Sequence, residues 1–154
     1  MAGYDTLRLI LCKKSILVEG DSDELVVQRA YMDTHEGRLP IYDGIDVMSV
    51  GGVTFKRYLE IAQTLNKETA VVTDNDGNIE AVKKKYKEYE GKPCIHICVD
   101  EVVDTGDLKL SDKDFNYNTL EPKLLKENGR EVMNNIFGTN YNTDDEMHKY
   151  MHAH

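Results

Sequence analysis

The chain has 154 residues, of which 40% are hydrophobic and 31% charged, and it carries a formal net charge of −9. That is the length of one compact domain with enough apolar residues for a core. No apolar run approaches the roughly 18 residues a membrane helix needs, and so much negative charge argues against holding a phosphate backbone by surface charge alone. The start, Met1 to Asp5, lacks the basic end and apolar stretch of a secretory signal. Three cysteines, Cys12, Cys94 and Cys98, leave at least one thiol unpaired and show no zinc-ribbon spacing. They fit a reducing compartment, so the cytoplasm is the expected location.

In chain order, residues 15–19 (Ser-Ile-Leu-Val-Glu) form a short apolar run ending in a carboxylate, which predicts a buried strand. Asp21-Ser22-Asp23-Glu24 then opens a helix with capping residues and acidic charge in its first turn; Leu25, Val26, Ala30 and Tyr31 are its expected apolar face, to about Asp33. A loop with Pro40 leads to a second strand over 45–50, closed by Gly51-Gly52. Thr54 caps a helix in which Phe55, Tyr58, Leu59, Ala62 and Leu65 recur at helical spacing. A third strand, 69–73, runs into Asp74-Asn75-Asp76-Gly77. A lysine-rich helix over 78–90 stops at Gly91 and Pro93, and 94–99 is a fourth strand. Residues 105–118 read as a polar loop and 120–128 as a helix with Pro122 in its first turn; 134–154 carry no strong signal. Strands alternating with helices over short connections predict parallel strands joined by crossovers, hence a Rossmann-like α/β fold around a mainly parallel four-stranded sheet.

Ligands of an open α/β sheet bind beyond the carboxyl ends of its strands. The first strand delivers Glu19 there, its turn adds Asp21 and Asp23, and the third strand delivers Asp74 and Asp76. Carboxylates crowded in this way repel one another, and hard divalent cations with oxygen ligands compensate best. Bound cations also reverse the local field, which offers a route around the unfavourable net charge. Each motif alone is equally well an ordinary helix cap or turn; it is their joint placement that points to a metal site.

Ile16-Leu17-Val18-Glu19-Gly20-Asp21-Ser22-Asp23, with Asp74-Asn75-Asp76-Gly77 downstream, resembles the Toprim signature of a Glu-Gly closing the first strand and a later Asp-x-Asp. Toprim domains occur in topoisomerases, bacterial primases, recombination mediators, a ribosomal-RNA maturase and the OLD (overcoming lysogenization defect) nucleases. Ser49-Val50-Gly51-Gly52-Val53-Thr54-Phe55, Val71-Val72-Thr73 ahead of the Asp-x-Asp, and Thr119-Leu120-Glu121-Pro122-Lys123-Leu124-Leu125 resemble the OLD group in particular. The type II topoisomerases carry a third aspartate where this chain has Asn78. The resemblance implies a Toprim catalytic domain over 14–133, between a lead-in (1–13) and a tail (134–154) that looks like a truncation. It implies an endonuclease that cleaves DNA, RNA not being excluded, through two Mg²⁺ or Mn²⁺ ions about 4 Å apart. Glu19, Asp74 and Asp76 are then catalytic, and Glu19, Asp23, Asp74, Asp76 and Glu121 are metal ligands, with Asp21 a weaker candidate. The family's transition-state lysine has no clear counterpart, Lys149 being the nearest. The family's ATPase domain, the expected partner, would lie elsewhere in a parent protein, since no phosphate-binding Gly-x-x-x-x-Gly-Lys-[Ser/Thr] loop is present.

Two other functions compete: a non-catalytic Toprim scaffold that binds DNA or protein, and a phosphatase of the haloacid dehalogenase type with Asp74 as nucleophile and Asp76 as acid. The latter places its motif on the first strand, whereas two strand–helix units precede it here. Cys94, His96 and Cys98 share one strand face, but ligands roughly 6.5–7 Å apart along a strand suit a single zinc ion poorly, so they read as small side chains under a helix. Lys83, Lys84, Lys85 and Lys87 read as a solvated helix face, and His148, His152 and His154 as part of a frayed tail.

Overall fold

A computed structural model describes residues 2–51 and 54–153, apart from the side chain of Ala2. The elements are α1 (Ala2–Leu11), β1 (Lys14–Val18), α2 (Asp21–Thr34), β2 (Ile45–Ser49), α3 (Phe55–Thr64), β3 (Glu68–Val72), α4 (Ile79–Tyr86), β4 (Ile95–Cys98), the short strands β5 (Lys109–Leu110) and β6 (Lys113–Asp114), α5 (Leu120–Asn128), α6 (Arg130–Phe137) and α7 (Asp144–Ala153). They fall into two compact units, one of residues 1–73 and 84–99, the other of 74–83 and 100–154.

The first unit holds the expected α/β fold. Its sheet has the order β2-β1-β3-β4 with every pairing parallel. The short apolar runs pair with buried neighbours, and β1 and β3 take the centre. Ser15 faces Thr69 across this central pair, both side chains buried, and their hydroxyls satisfy each other at 2.8 Å. Leu17, Val18, Met48 and Val71 from the strands meet Phe55, Leu59 and Ala62 from α3, all with no exposed surface. The helical periodicity of 55–62 therefore aims an apolar stripe at the sheet.

The helix α1, where the sequence showed only a lead-in, docks through Leu9, which is fully buried, and through Arg8. The Arg8 guanidinium grips Asp46 of β2 with two bonds of 2.9 and 2.7 Å and gives a third of 2.9 Å to the Val47 carbonyl. By contrast, α2 buries none of its residues: Leu25, expected on its inner face, is 69% exposed. Polar bonds attach this helix instead: Glu24 accepts from the Ser49 amide at 3.2 Å, and the Tyr31 hydroxyl donates to Asp43 at 2.7 Å.

The second unit contains α5, α6 and α7, with Leu125, Met133 and Met147 buried together and Tyr141, Tyr150 and Met151 packed against them. The stretch 134–154, which carries no strong signal in the sequence, is thus largely helical. Within the polar segment 105–118, β5 and β6 form an antiparallel hairpin whose two turn residues, Ser111 and Asp112, both have positive φ (48° and 67°), the backbone a two-residue hairpin turn requires.

Candidate metal centre

In the order β2-β1-β3-β4 the connections leave β1 and β3 in opposite directions, so a crevice opens beyond the carboxyl ends of these two strands. Glu19 follows β1 and Thr73 follows β3 at this edge. The Thr73 hydroxyl donates a short hydrogen bond to Glu19 Oε1, which holds the carboxylate at the mouth of the crevice. The next residue along the chain is Asp74. Glu19 is half-buried, while Asp21 is exposed. Asp23 reaches back to accept from the Gly20 amide at 2.9 Å, so one of its oxygens caps the helix it opens. Tyr86, the last residue of α4, is 4% exposed and tilted against Phe55 with ring centroids 6.4 Å apart. Its hydroxyl is buried beside the Thr73 side chain. Burial pushes that hydroxyl well above the ordinary tyrosine range; the Glu19 charge adds to the effect, and the Thr73 side chain works against it.

In the second unit, Asp74-Asn75-Asp76-Gly77 is a turn built around Asn75. This side chain is 2% exposed, donates to the carbonyls of Asp100 (2.7 Å) and Val102 (2.9 Å), and accepts from the Gly77 amide at 2.8 Å. Asp76 and Gly77 both take positive φ, 49° and 75°, a conformation aspartate tolerates and glycine prefers. Asp76 is exposed and accepts from Asn116 at 3.0 Å. Glu121 stands half-buried in the first turn of α5, where a carboxylate suits the helix dipole. Next to it, Lys123 donates to Asp100 and Asp104 at 2.6 Å each and to the Val102 carbonyl at 2.9 Å; Lys126 adds a 2.6 Å bond to Asp104. Lys123 holds both aspartates below the usual carboxylate range, helped by the Val102 amide at Asp100 and by Lys126 at Asp104.

An all-carboxylate donor set suits hard divalent cations. Even so, among the described residues no group of three or more His, Cys, Asp or Glu side chains closes on one point that could hold a metal ion. Thr73, Asn75 and Tyr86 are polar residues that pattern reading missed. Their roles arise from contacts far apart in sequence, and only the position of Thr73 just before the Asp-x-Asp offered a signal. The motif around Gly51 lies partly outside the described residues, since Gly52 and Val53 fall there, as does His154.

The remaining expectations divide. His96 and Cys98 are exposed on the edge strand β4, not covered by a helix. Lys83, Lys84, Lys85 and Lys87 are exposed, as a solvated face should be, with Lys83 3.6 Å from Glu101 and Lys85 over the ring of Tyr86 at 5.1 Å. His148 is not frayed: it is 8% exposed within α7.

No curated protein and no solved structure matches the chain. Residues 10–76 match the family model described as "Overcoming lysogenization defect protein-like, TOPRIM domain". That span runs from the end of α1 through β3 to Asp76 and includes Glu19, Asp23 and Asp74. Over residues 10–76 the chain is similar to the Toprim domain of the OLD-like family.

Proposed function

We propose that this domain is a metal-dependent endonuclease that cleaves DNA phosphodiester bonds as part of a larger OLD-family ATPase-nuclease. Toprim domains are usually metal-dependent nucleases or primases and generally bind divalent metals such as Mg²⁺. The observation that carries the reading is Glu19. It stands at the mouth of the β1/β3 crevice, pinned by Thr73, within the segment that matches the family model.

The proposed ligands are Glu19, Asp23, Asp74, Asp76 and Glu121, with Glu19, Asp74 and Asp76 closest to the chemistry and Mg²⁺ or Mn²⁺, two ions, as the cofactor. Bound there, the cations would supply Lewis-acid charge for the scissile phosphate and a water acidic enough to attack it. Thr73 fixes one Glu19 oxygen and leaves the other to face a cation. Asn75 holds the Asp74–Gly77 backbone rigid, so the two aspartates need little reordering to bind. The capping bond of Asp23 is compatible with the role, because a carboxylate has a second oxygen to offer. No described helix is long and apolar enough to cross a membrane.

The competing reading is a scaffold, in which the fold binds DNA or protein without catalysis. A titration with Mn²⁺, followed through backbone amide NMR signals, separates the two. Paramagnetic broadening centred on Gly20, Asp23, Asp74, Asp76 and Glu121, and lost at least tenfold in affinity in Glu19→Gln, is the expected result. If these signals stay sharp at millimolar Mn²⁺, the nuclease reading fails and the scaffold takes its place.

A further inference from the structure

We propose that the second unit carries a pocket for one unstacked nucleobase, so that the strand acted on is single or locally opened. The inference rests on the nuclease reading above and names its substrate more closely.

The pocket, about 260 Å³, lies wholly within this unit, between the β5–β6 hairpin, the start of α5 and the second half of α7. It is smaller than the ~300–1,000 Å³ of pockets for drug-sized ligands, which suits a single planar heterocycle. Phe115, Pro122 and Met151 give it apolar walls, with His148 and His152 on the α7 side. The Phe115 ring meets Tyr117 at 88°, His148 at 44° and His152 at 83°. None of these three rings lies flat on it, so they leave parallel stacking, the contact a base makes with an aromatic side chain, to a ligand. His148 supplies a polar element. It is 8% exposed and its Nδ1 has no hydrogen-bond partner, an arrangement that costs stability unless something meets it. Burial keeps the ring neutral near pH 7, so it has one N–H and one lone pair, the two kinds of group that pair with a base edge.

The pocket adjoins two of the proposed metal ligands. Glu121 stands in its wall, and Asn116, also in the wall, donates to Asp76 at 3.0 Å. A strand whose phosphate is held at these carboxylates therefore has a base beside the pocket. The charge of the chain calls for such a contact. At −9 it gains little from a phosphate backbone by Coulomb attraction, whereas stacking is uncharged and accepts any base. A duplex keeps its bases stacked on one another, so only a single or opened strand has a base to give.

The test measures binding of a short labelled oligodeoxynucleotide to the full chain by fluorescence anisotropy, with Ca²⁺ in place of Mg²⁺. The single strand should bind about tenfold more tightly than the duplex of the same sequence, and an abasic strand of the same length should lose that advantage. Phe115→Leu, which keeps apolar bulk but has no stacking face, should lose it too, while Phe115→Tyr keeps it. Equal binding of single strand and duplex, or of the natural and abasic strands, overturns the proposal, and these two comparisons need no variant to fold. A free deoxynucleoside monophosphate that binds as tightly as the strand also overturns it, because the pocket is then a nucleotide site. If Mn²⁺ broadens the signals of Gly20, Asp23, Asp74, Asp76 and Glu121 while the single strand has no advantage, the nuclease reading stands and the pocket falls. If the advantage is present and those signals stay sharp, the pocket stands and the nuclease reading falls.

Discussion

At 8% exposure, the His148 imidazole lies in α7 against the rings of Phe115 and Tyr117, with centroids 5.0 and 5.4 Å away, and its Nδ1 has no hydrogen-bond partner. Burial lowers its pKa, against the pull of Asp144 and Asp145. The unfolded chain therefore takes up a proton near pH 6.5 that the folded chain refuses until the pH is lower. The contribution of a neutral His148 is complete above about pH 6.5 and is lost as the pH falls through its folded value. Asp100 and Asp104, lowered by Lys123, work in a separate window: their stabilisation is present above about pH 4 and lost below it. The melting temperature should thus fall between pH 7 and 5 in the native chain and stay nearly flat over that range in His148→Leu; parallel pH profiles for the two would remove His148 from the account. At this scale the acidic residues were legible, because Glu19-Gly20 and Asp74-x-Asp76 are patterns in the letters themselves. Thr73, Asn75 and Tyr86 were not. Each owes its role to a neighbour brought near only by folding, and Tyr86 is hidden in a run of lysines that reads as solvent-facing.

Among the elements, the four strands were legible because each is a short apolar run bounded by turn residues, and the structure moves their ends by a residue or so. The helix α3 was legible because its apolar positions all face one way. The helix α1 was not, since Leu7, Ile10 and Leu11 are 57%, 44% and 80% exposed while Leu9 is buried, so no single stripe emerges from the sequence. The two-residue strands β5 and β6 are too short to show any period, and α7 buries Met147 and His148 within an otherwise polar segment. What α1 lacks in apolar contact it recovers through the Arg8 fork on Asp46, whose side chains are 26% and 15% exposed. A lysine has the charge but not the paired, planar donors. Arg8→Lys should therefore cost about 1–2 kcal/mol of stability in urea unfolding, after allowance for solvent screening of a partly exposed pair. An unchanged midpoint would show that Leu9 alone docks the helix.

For the whole chain, a net charge of −9 sets a background of self-repulsion that any salt relieves. A specific cation site adds a second stabilisation that grows with the logarithm of metal concentration and has no counterpart in screening. Mg²⁺ should therefore raise the melting temperature more than NaCl does at matched ionic strength. Equal effects would reduce the metal dependence to general screening.

The sheet has a bearing on how the molecule is made. Lys14 of β1 pairs with Ile45 and with Glu68, and Thr69 of β3 pairs with Ile95, so no rung joins residues that are close in the chain. During synthesis from the amino end, β1 emerges first, and its apolar Ile16, Leu17 and Val18 have no partner until β2 and then β3 follow. The interval before closure is the period in which the nascent chain is most prone to stray association. The strand that leads into Glu19 is the earliest to be made and the one that waits longest for both of its neighbours.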